Sequence, residues 1–258
     1  MKIFLNISYV GSAYCGYQVQ KNGVSIQQRL NEAAKALFGF ECDIVGCSRT
    51  DRGVHANMFC ACVTERGSKS ISSTIPEAAI PIAFNSYLPG DIAVRSARYV
   101  EDGFHPRYDV KYKEYVYKIY NAPVLDPFLF GRVWHYPKKI SDEAISRMDE
   151  AAKNFVGKYD FSAFMASGSS VSDTVRNVIS ARVERHGDVV EFTVCADGFL
   201  YNMVRIMTGT LLAVAEGKIS PDDIIDITAS KNRSCAGITA PACGLFLNKV
   251  VYEEEFYD

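Results

Sequence analysis

The octapeptide Arg49-Thr50-Asp51-Arg52-Gly53-Val54-His55-Ala56 sets one carboxylate between two guanidiniums and follows it with glycine. Nearby cations favour the charged form of a carboxyl group, so Asp51 is expected to stay ionised at neutral pH. An ionised carboxylate on a loop can serve as nucleophile or base. A surface turn whose Asp pairs with a neighbouring Arg has the same composition, and the motif alone leaves both readings open. Two other stretches bear on the choice. Residues 198–215 hold a single formal charge, Arg205, within an apolar stripe of Leu200, Val204, Met207, Leu211 and Val214. A guanidinium in such a wall is costly to desolvate unless a carboxylate meets it. Asp51 is its natural partner; snorkelling to the surface or bracing a neighbouring domain are the alternatives. Residues 104–120 interleave Tyr108, Tyr112, Tyr115, Tyr117 and Tyr120 with Arg107, Lys111, Lys113 and Lys118. On a strand, Tyr115 and Tyr117 share one face and Lys118 and Tyr120 the other. Stacking on flipped or single-stranded bases, at roughly 1–3 kcal/mol per base, would use this pattern. Ordinary sheet packing would use it too.

The elements that must carry these residues follow from periodicity. Residues 2–10 alternate as a strand, and 11–18 form a loop rich in glycine and aromatics. Ser25 and Gln28 make a capping-box pattern before a helix whose stripe is Ile26, Leu30, Ala33, Ala34, Leu37 and Phe38, and which Gly39 ends. Strands near 41–48 and 57–65 flank the Asp51 loop. A short helix around 76–87, broken by Pro81, leads through the turn Leu88-Pro89-Gly90-Asp91 to a strand at 92–100. The order β-α-β-β-α-β is the ferredoxin-like arrangement. A comparable set follows: a strand at 111–120, an amphipathic helix at 141–156, and a hairpin of 175–185 and 188–196 turning at His186-Gly187-Asp188. Helices near 200–216 and from Pro221, and a strand at 245–252, complete it. The expected fold is α+β: two ferredoxin-like, RRM-like units whose antiparallel sheets join, with a catalytic cleft between them. The expected domains are 1–104, carrying the Asp51 loop, and 105–258, carrying the tyrosine strand and the Arg205 helix.

A chain of 258 residues with 48% hydrophobic and 22% charged side chains can bury a sizeable core. The net charge of −2 conceals segregation. Residues 1–104 carry +1, 105–140 carry +4, and 141–258 carry −7, to which Glu253, Glu254, Glu255 and Asp258 contribute. A basic face can therefore coexist with an acidic tail. Eight cysteines without a Cys-x-x-Cys spacing, and no signal peptide, suggest reduced thiols in a cytosol. The four histidines share no ligand spacing with one another or with the cysteines, so no metal site is expected. The 11–18 loop lacks a P-loop ending and a dinucleotide fingerprint, and no Gly-x-Ser-x-Gly elbow is present. The 198–215 helix is marginal in length for a membrane span, and Asn202, Arg205 and two threonines oppose one.

Taken together, the motifs resemble those of tRNA pseudouridine synthases of the TruA family, nearly end to end. They are Tyr9-x-Gly11-x-x-Tyr14-x-Gly16-Tyr17-Gln18-x-Gln20, Arg49-Thr50-Asp51-x-Gly53-Val54-His55-Ala56, Phe104-His105-x-Arg107 with Tyr115-x-Tyr117, and Asp160-Phe161-Ser162-x-Phe164. Arg176, Gly198-Phe199-Leu200-Tyr201-Asn202-Met203-Val204-Arg205, and Thr239-Ala240-Pro241-x-x-Gly244-Leu245 follow in order. The resemblance implies isomerisation of uridine in the anticodon stem-loop of tRNA, at positions 38, 39 and 40, without cofactor or metal, by a cytoplasmic homodimer. It makes Asp51 the catalytic carboxylate and nucleophile, although attack on C1′, addition to the uracil ring and abstraction of a sugar proton remain open. It makes Arg205 the partner of Asp51, and Tyr115 the ring that stacks on the target base and serves in proton transfer. Arg49, Arg52, His55 and Arg107 are the further substrate contacts it suggests.

Arg52 stands where the family usually has alanine, Ser48 where it has glycine, and Tyr17 where it has tryptophan. An added phosphate contact is the expected role of Arg52. Two rival functions compete with this one. A non-catalytic tRNA-binding or folding chaperone on this scaffold could dispense with Asp51 or Arg205, and both are present. A glycosidic hydrolase would need a second carboxylate, for which Asp197 is the only nearby candidate.

Overall fold

The described residues of the computed structural model are 1–168 and 171–253; Glu254, Glu255 and Asp258 of the acidic run lie outside them. The clearest local signal, Ser25 to Gly39, becomes helix α1 (Ile26–Phe38). The Ser25 hydroxyl accepts from the Gln28 N–H at 3.2 Å, satisfying one of the orphan donors of the first turn. The Gln28 amide is directed along the helix, donating to Glu32. Gly39, at φ 79°, closes the helix in the left-handed region that glycine enters without penalty.

The chain falls into two compact units: 1–111 together with the stretch from Phe246 onward, and 112–245. The first unit runs β1 (Lys2–Tyr9), α1, β2 (Cys42–Gly46), β3 (His55–Glu65), α2 (Ala79–Asn85) and β4 (Ile92–Val100), the ferredoxin-like order. Strand β1 lies between β4 and β3, antiparallel to both, and β2 pairs with the far half of β3. Strand β10 (Leu245–Val251) then runs parallel to the start of β3, setting Phe246 opposite His55 and Leu247 opposite Ala56. One face of β1 buries Ile3, Leu5 and Ile7; on the other, Phe4 meets the rings of Phe104 and Tyr252 at 5.6 and 5.7 Å. Pro81 does not break α2. It sits in the first turn, where an N–H has no intrahelical acceptor and its loss costs nothing.

The second unit has β5 (Tyr112–Tyr120), β6 (Trp134–His135), α3 (Asp142–Lys153), β7 (Gly157–Asp160), β8 (Val175–His186), β9 (Val189–Ala196), α4 (Met203–Ala215) and α5 (Asp223–Ser230). Strand β5 pairs with β6 and β9, β9 with β8, and β8 with β7. Directly opposed residues share a face, so Tyr115 and Tyr117 stand with Val194 and Phe192, and all four are buried. On the reverse face Lys118 meets Glu191 at 3.2 Å. Helix α4 starts three residues later than periodicity suggests, because 198–202 form an irregular approach. Thr208 and Thr210 return their hydroxyls to the carbonyls of Val204 and Ile206, which lets an apolar helix bury them. Among the described residues no helix is long and apolar enough to cross a membrane.

Candidate active site

The Asp51 loop rests on the glycine-aromatic loop at 11–18. A Cβ on Gly11 would lie 1.9 Å from the Val54 carbonyl oxygen, and one on Gly16 2.6 Å from that of Thr50. Only hydrogen at both positions lets the two backbones touch. The Tyr17 N–H donates to Thr50 O at 3.1 Å, and the Tyr9 and Thr50 hydroxyls share a bond of 2.7 Å. A register shift in β1 between Ile7 and Tyr9 aims the Tyr9 ring there. Above this base the Val54 N–H closes a turn on the Asp51 carbonyl, and Gly53 takes φ 80°. The result is an alternation of burial: Thr50 faces inward, Asp51 is half-buried, and Arg49 and Arg52 are exposed on either side.

His55 is fully buried, unlike the two arginines. Its Nδ1 accepts from the Gly11 N–H at 3.0 Å, and its ring stacks on Phe246 at 4.6 Å. It therefore fastens the two loops from beneath. Tyr17 is also buried, stacked on Phe59 at 4.2 Å. Burial, with the thiols of Cys47 and Cys62 beside it, pushes its hydroxyl pKa well above the ordinary value. Tyr14 donates to Asp91 at 2.6 Å and tethers the loop to the turn before β4. Arg107 is exposed, its guanidinium 5.9 Å from the Tyr108 ring centroid.

The second unit carries Tyr115 and Arg205, and both are tied to segment 198–202. The Tyr115 ring meets Phe199 edge-on at 4.9 Å. Arg205 donates through Nη1 to the Asn202 side chain at 2.6 Å and through Nε to the Ala240 carbonyl at 2.7 Å. The Ala240 N–H returns a bond to Arg205 O at 3.1 Å. The Ala240 strap presses on α4 closely enough that a Cβ on Gly209 would lie 1.9 Å from Ile238 O. Tyr117 anchors its other end, donating to Pro241 O at 2.6 Å, and burial holds that phenol protonated far above the usual range. The Tyr201 carbonyl accepts from Ala166 N, part of the loop that follows Asp160. Asp160 accepts from Thr174 and Ser162 and meets Lys231 at 3.1 Å; these bonds, that to Thr174 foremost, hold its carboxyl well below the usual carboxylate range. Asp197, the second carboxylate a glycosidase would require, is exchanged into the sheet end instead, accepting from Asn177 N at 2.9 Å. Among the described residues no group of three His, Cys, Asp or Glu could hold a metal ion.

A family profile described as tRNA pseudouridine synthase matches residues 151–253, which include the Arg205 segment. A tRNA pseudouridine synthase A from a Thermoanaerobacter species is 43% identical over 252 residues, covering 97% of this chain and 99% of the relative. The chain belongs to the tRNA pseudouridine synthase A family. Relatives of the same name from Acetivibrio thermocellus and Bacillus licheniformis are 42% and 41% identical, covering 96% and 98% of this chain. A solved chain from a Cbf5–Nop10–Gar1 complex aligns at 12% identity and a TM-score of 0.39, covering 97% of this chain and 50% of that one, too slight a likeness to argue from.

For this family member, the sequence already presents Asp51, Tyr115 and Arg205; what it conceals is how each is held. The glycines at 11 and 16 signal a loop but not what lies against it. Asn202 falls inside the expected 200–216 helix with nothing to mark it, and the Lys231–Asp160 bridge joins residues 71 positions apart without a shared motif.

Proposed function

We propose that this protein converts uridine to pseudouridine in the anticodon stem-loop of tRNA, at positions 38, 39 and 40. The observation that carries the reading is the 43% identity to a tRNA pseudouridine synthase A along 97% of the chain. In the reaction the N1–C1′ bond breaks, the uracil turns, C5 bonds to C1′ and loses its proton, and N1 takes one up, so substrate and product are isomers. A base in a stem must first be unstacked, at a cost of a few kcal/mol. Asp51 is the catalytic carboxylate, Tyr115 the ring against the displaced base, and Arg205 the cation that keeps Asp51 ionised and oriented. The division of labour is between an N-terminal domain bearing the Asp51 loop and a C-terminal domain bearing the tyrosine strand and the Arg205 helix.

The exposure of Arg49 and Arg52 beside a half-buried Asp51 supports a loop that reaches phosphates while its carboxylate meets the base. Arg107 is a further phosphate contact. His55 acts from below, through Gly11. A homodimer in the cytoplasm, working without cofactor, completes the reading.

The test is to incubate the protein with unmodified tRNA transcript and map pseudouridine by adduct formation and primer-extension stops. The wild type should mark positions 38–40, and Asp51→Ala should mark none. Product from Asp51→Ala would refute the assigned chemistry. Tight tRNA binding without product on several tRNAs would replace the enzyme by a folding chaperone.

A further inference from the structure

Only two non-glycine residues among those described have positive φ, and one is Asn202, at φ 60° and ψ 11°. An L-residue pays about 1 kcal/mol or more to sit in that region, and strain of this kind persists where surrounding structure enforces it. Asn202 also occupies the N-cap of α4, where an asparagine ordinarily accepts from the N–H two or three residues on. It does not cap: no side-chain bond closes that helix start. Its Oδ1 instead accepts from Arg205 Nη1 at 2.6 Å, while its own carbonyl accepts from Ile206 N at 3.0 Å. The left-handed turn is what brings the side chain back over the first helical turn. Phe199, three residues before it, packs on Tyr115, so one short segment orders both side chains.

We propose that Asn202 is a positioning residue for the isomerisation: it fixes the rotation of the Arg205 guanidinium. Nε is held by Ala240 O and Nη1 by Asn202, so the guanidinium plane is defined by two acceptors of the second unit. A planar fork held at two points presents its remaining edge in one orientation. The inference rests on the reading that Arg205 serves catalysis, and the experiment separates the two.

Asn202→Gly is the informative variant, because glycine accepts the left-handed backbone while deleting only the acceptor. Thermal melting, tRNA affinity and single-turnover rate are measured for Asn202→Gly, Asn202→Asp and Arg205→Ala. The expected result for Asn202→Gly is an unchanged or raised Tm, tRNA affinity within twofold, and a rate lower by roughly 10–100-fold, the scale of a misplaced catalytic group. Asn202→Asp keeps an acceptor oxygen and tolerates the same backbone, so it should recover most of the rate that glycine loses. An Asn202→Gly rate within twofold of wild type, with Arg205→Ala inactive, overturns the positioning role and leaves the proposed function standing. Equal losses for Gly and Asp overturn it as well, including the case in which Asn202→Gly fails to fold. Full activity of Arg205→Ala would refute the assignment of Arg205 itself.

Discussion

Replacing Gly11 by alanine tests how the Asp51 loop is supported. The added methyl would stand 1.9 Å from the Val54 carbonyl oxygen and 2.8 Å from its carbon, against an ordinary contact of 3.4–4 Å. The obstacle is backbone and cannot rotate away. One of the two loops must therefore retreat by about 1.5 Å. That retreat also stretches the 3.0 Å bond from Gly11 N to His55 Nδ1, leaving a polar atom in a fully buried ring poorly satisfied. Overpacking costs about 1–3 kcal/mol and a lost buried acceptor about 1–3 more. At ~2–4 °C per kcal/mol the melting temperature should fall by roughly 4–24 °C. Below the transition the loss should appear in rate. A displacement of about 1 Å near a reacting group can cost about 100-fold, and the turn that moves is the one that begins at Asp51. The assay is thermal melting together with single-turnover pseudouridine formation on one tRNA, with Gly90→Ala, whose Cβ meets nothing within 4 Å, as the control. Gly11→Ala and Gly90→Ala indistinguishable in both measurements would refute the idea that contact between the two loops holds Asp51 in place.

The Tyr17 hydroxyl is buried without a hydrogen-bond partner among the described residues, so Tyr17→Phe should raise stability by about 1 kcal/mol while keeping the stack on Phe59; a lower Tm would contradict this. Asp160 has its folded pKa depressed, so its contribution is present above the unfolded value of about 4 and is lost as pH falls through the folded one. Denaturant titrations of wild type and Asp160→Asn should therefore converge as pH drops below ~4, and a constant gap down to pH 2 would contradict that coupling. Burial pushes the thiols of Cys42 and Cys62 up to about 11 and about 12, whereas Cys235 is exposed. Mass-spectrometric mapping after brief alkylation at pH 8 should find Cys235 labelled first and the other two only on unfolding; early labelling of Cys62 would count against a closed first unit.

Local signals carried most of the secondary structure. Ser25 and Gly39 bracket α1, and the hairpin at Gly187, with φ 60°, turns where its residues suggest. What stayed hidden is non-local or short. Strand β6 is two residues long, too short for any alternation, and is defined only by lying beside β5. Pro81 reads as a breaker until the helix start is known. The sequence shows Asp51 between cations, but whether each neighbour points outward or inward depends on the pleat of β3 and the support of 11–18. That is why His55, two residues past Gly53 and grouped with the arginines by motif, turns out to be enclosed. Asn202 was illegible for a different reason: its backbone handedness is set by tertiary contacts and leaves no composition signal.

Strand β10 has a consequence for synthesis. Contacts of this strand and of Tyr252 just after it reach back into the first 106 residues: Phe246 stacks on His55, Asn248 is bonded to Asn57 at 2.7 Å, and Tyr252 donates to Pro106 O at 2.6 Å. A ribosome-bound chain that has emerged only as far as residue 245 has the Asp51 loop but lacks the strand on which its underlying histidine stacks. The Asp51 loop is therefore among the last parts of the first unit to gain its full packing. For the same reason a cut at the junction near residue 111 would yield one whole unit and one missing its final strand.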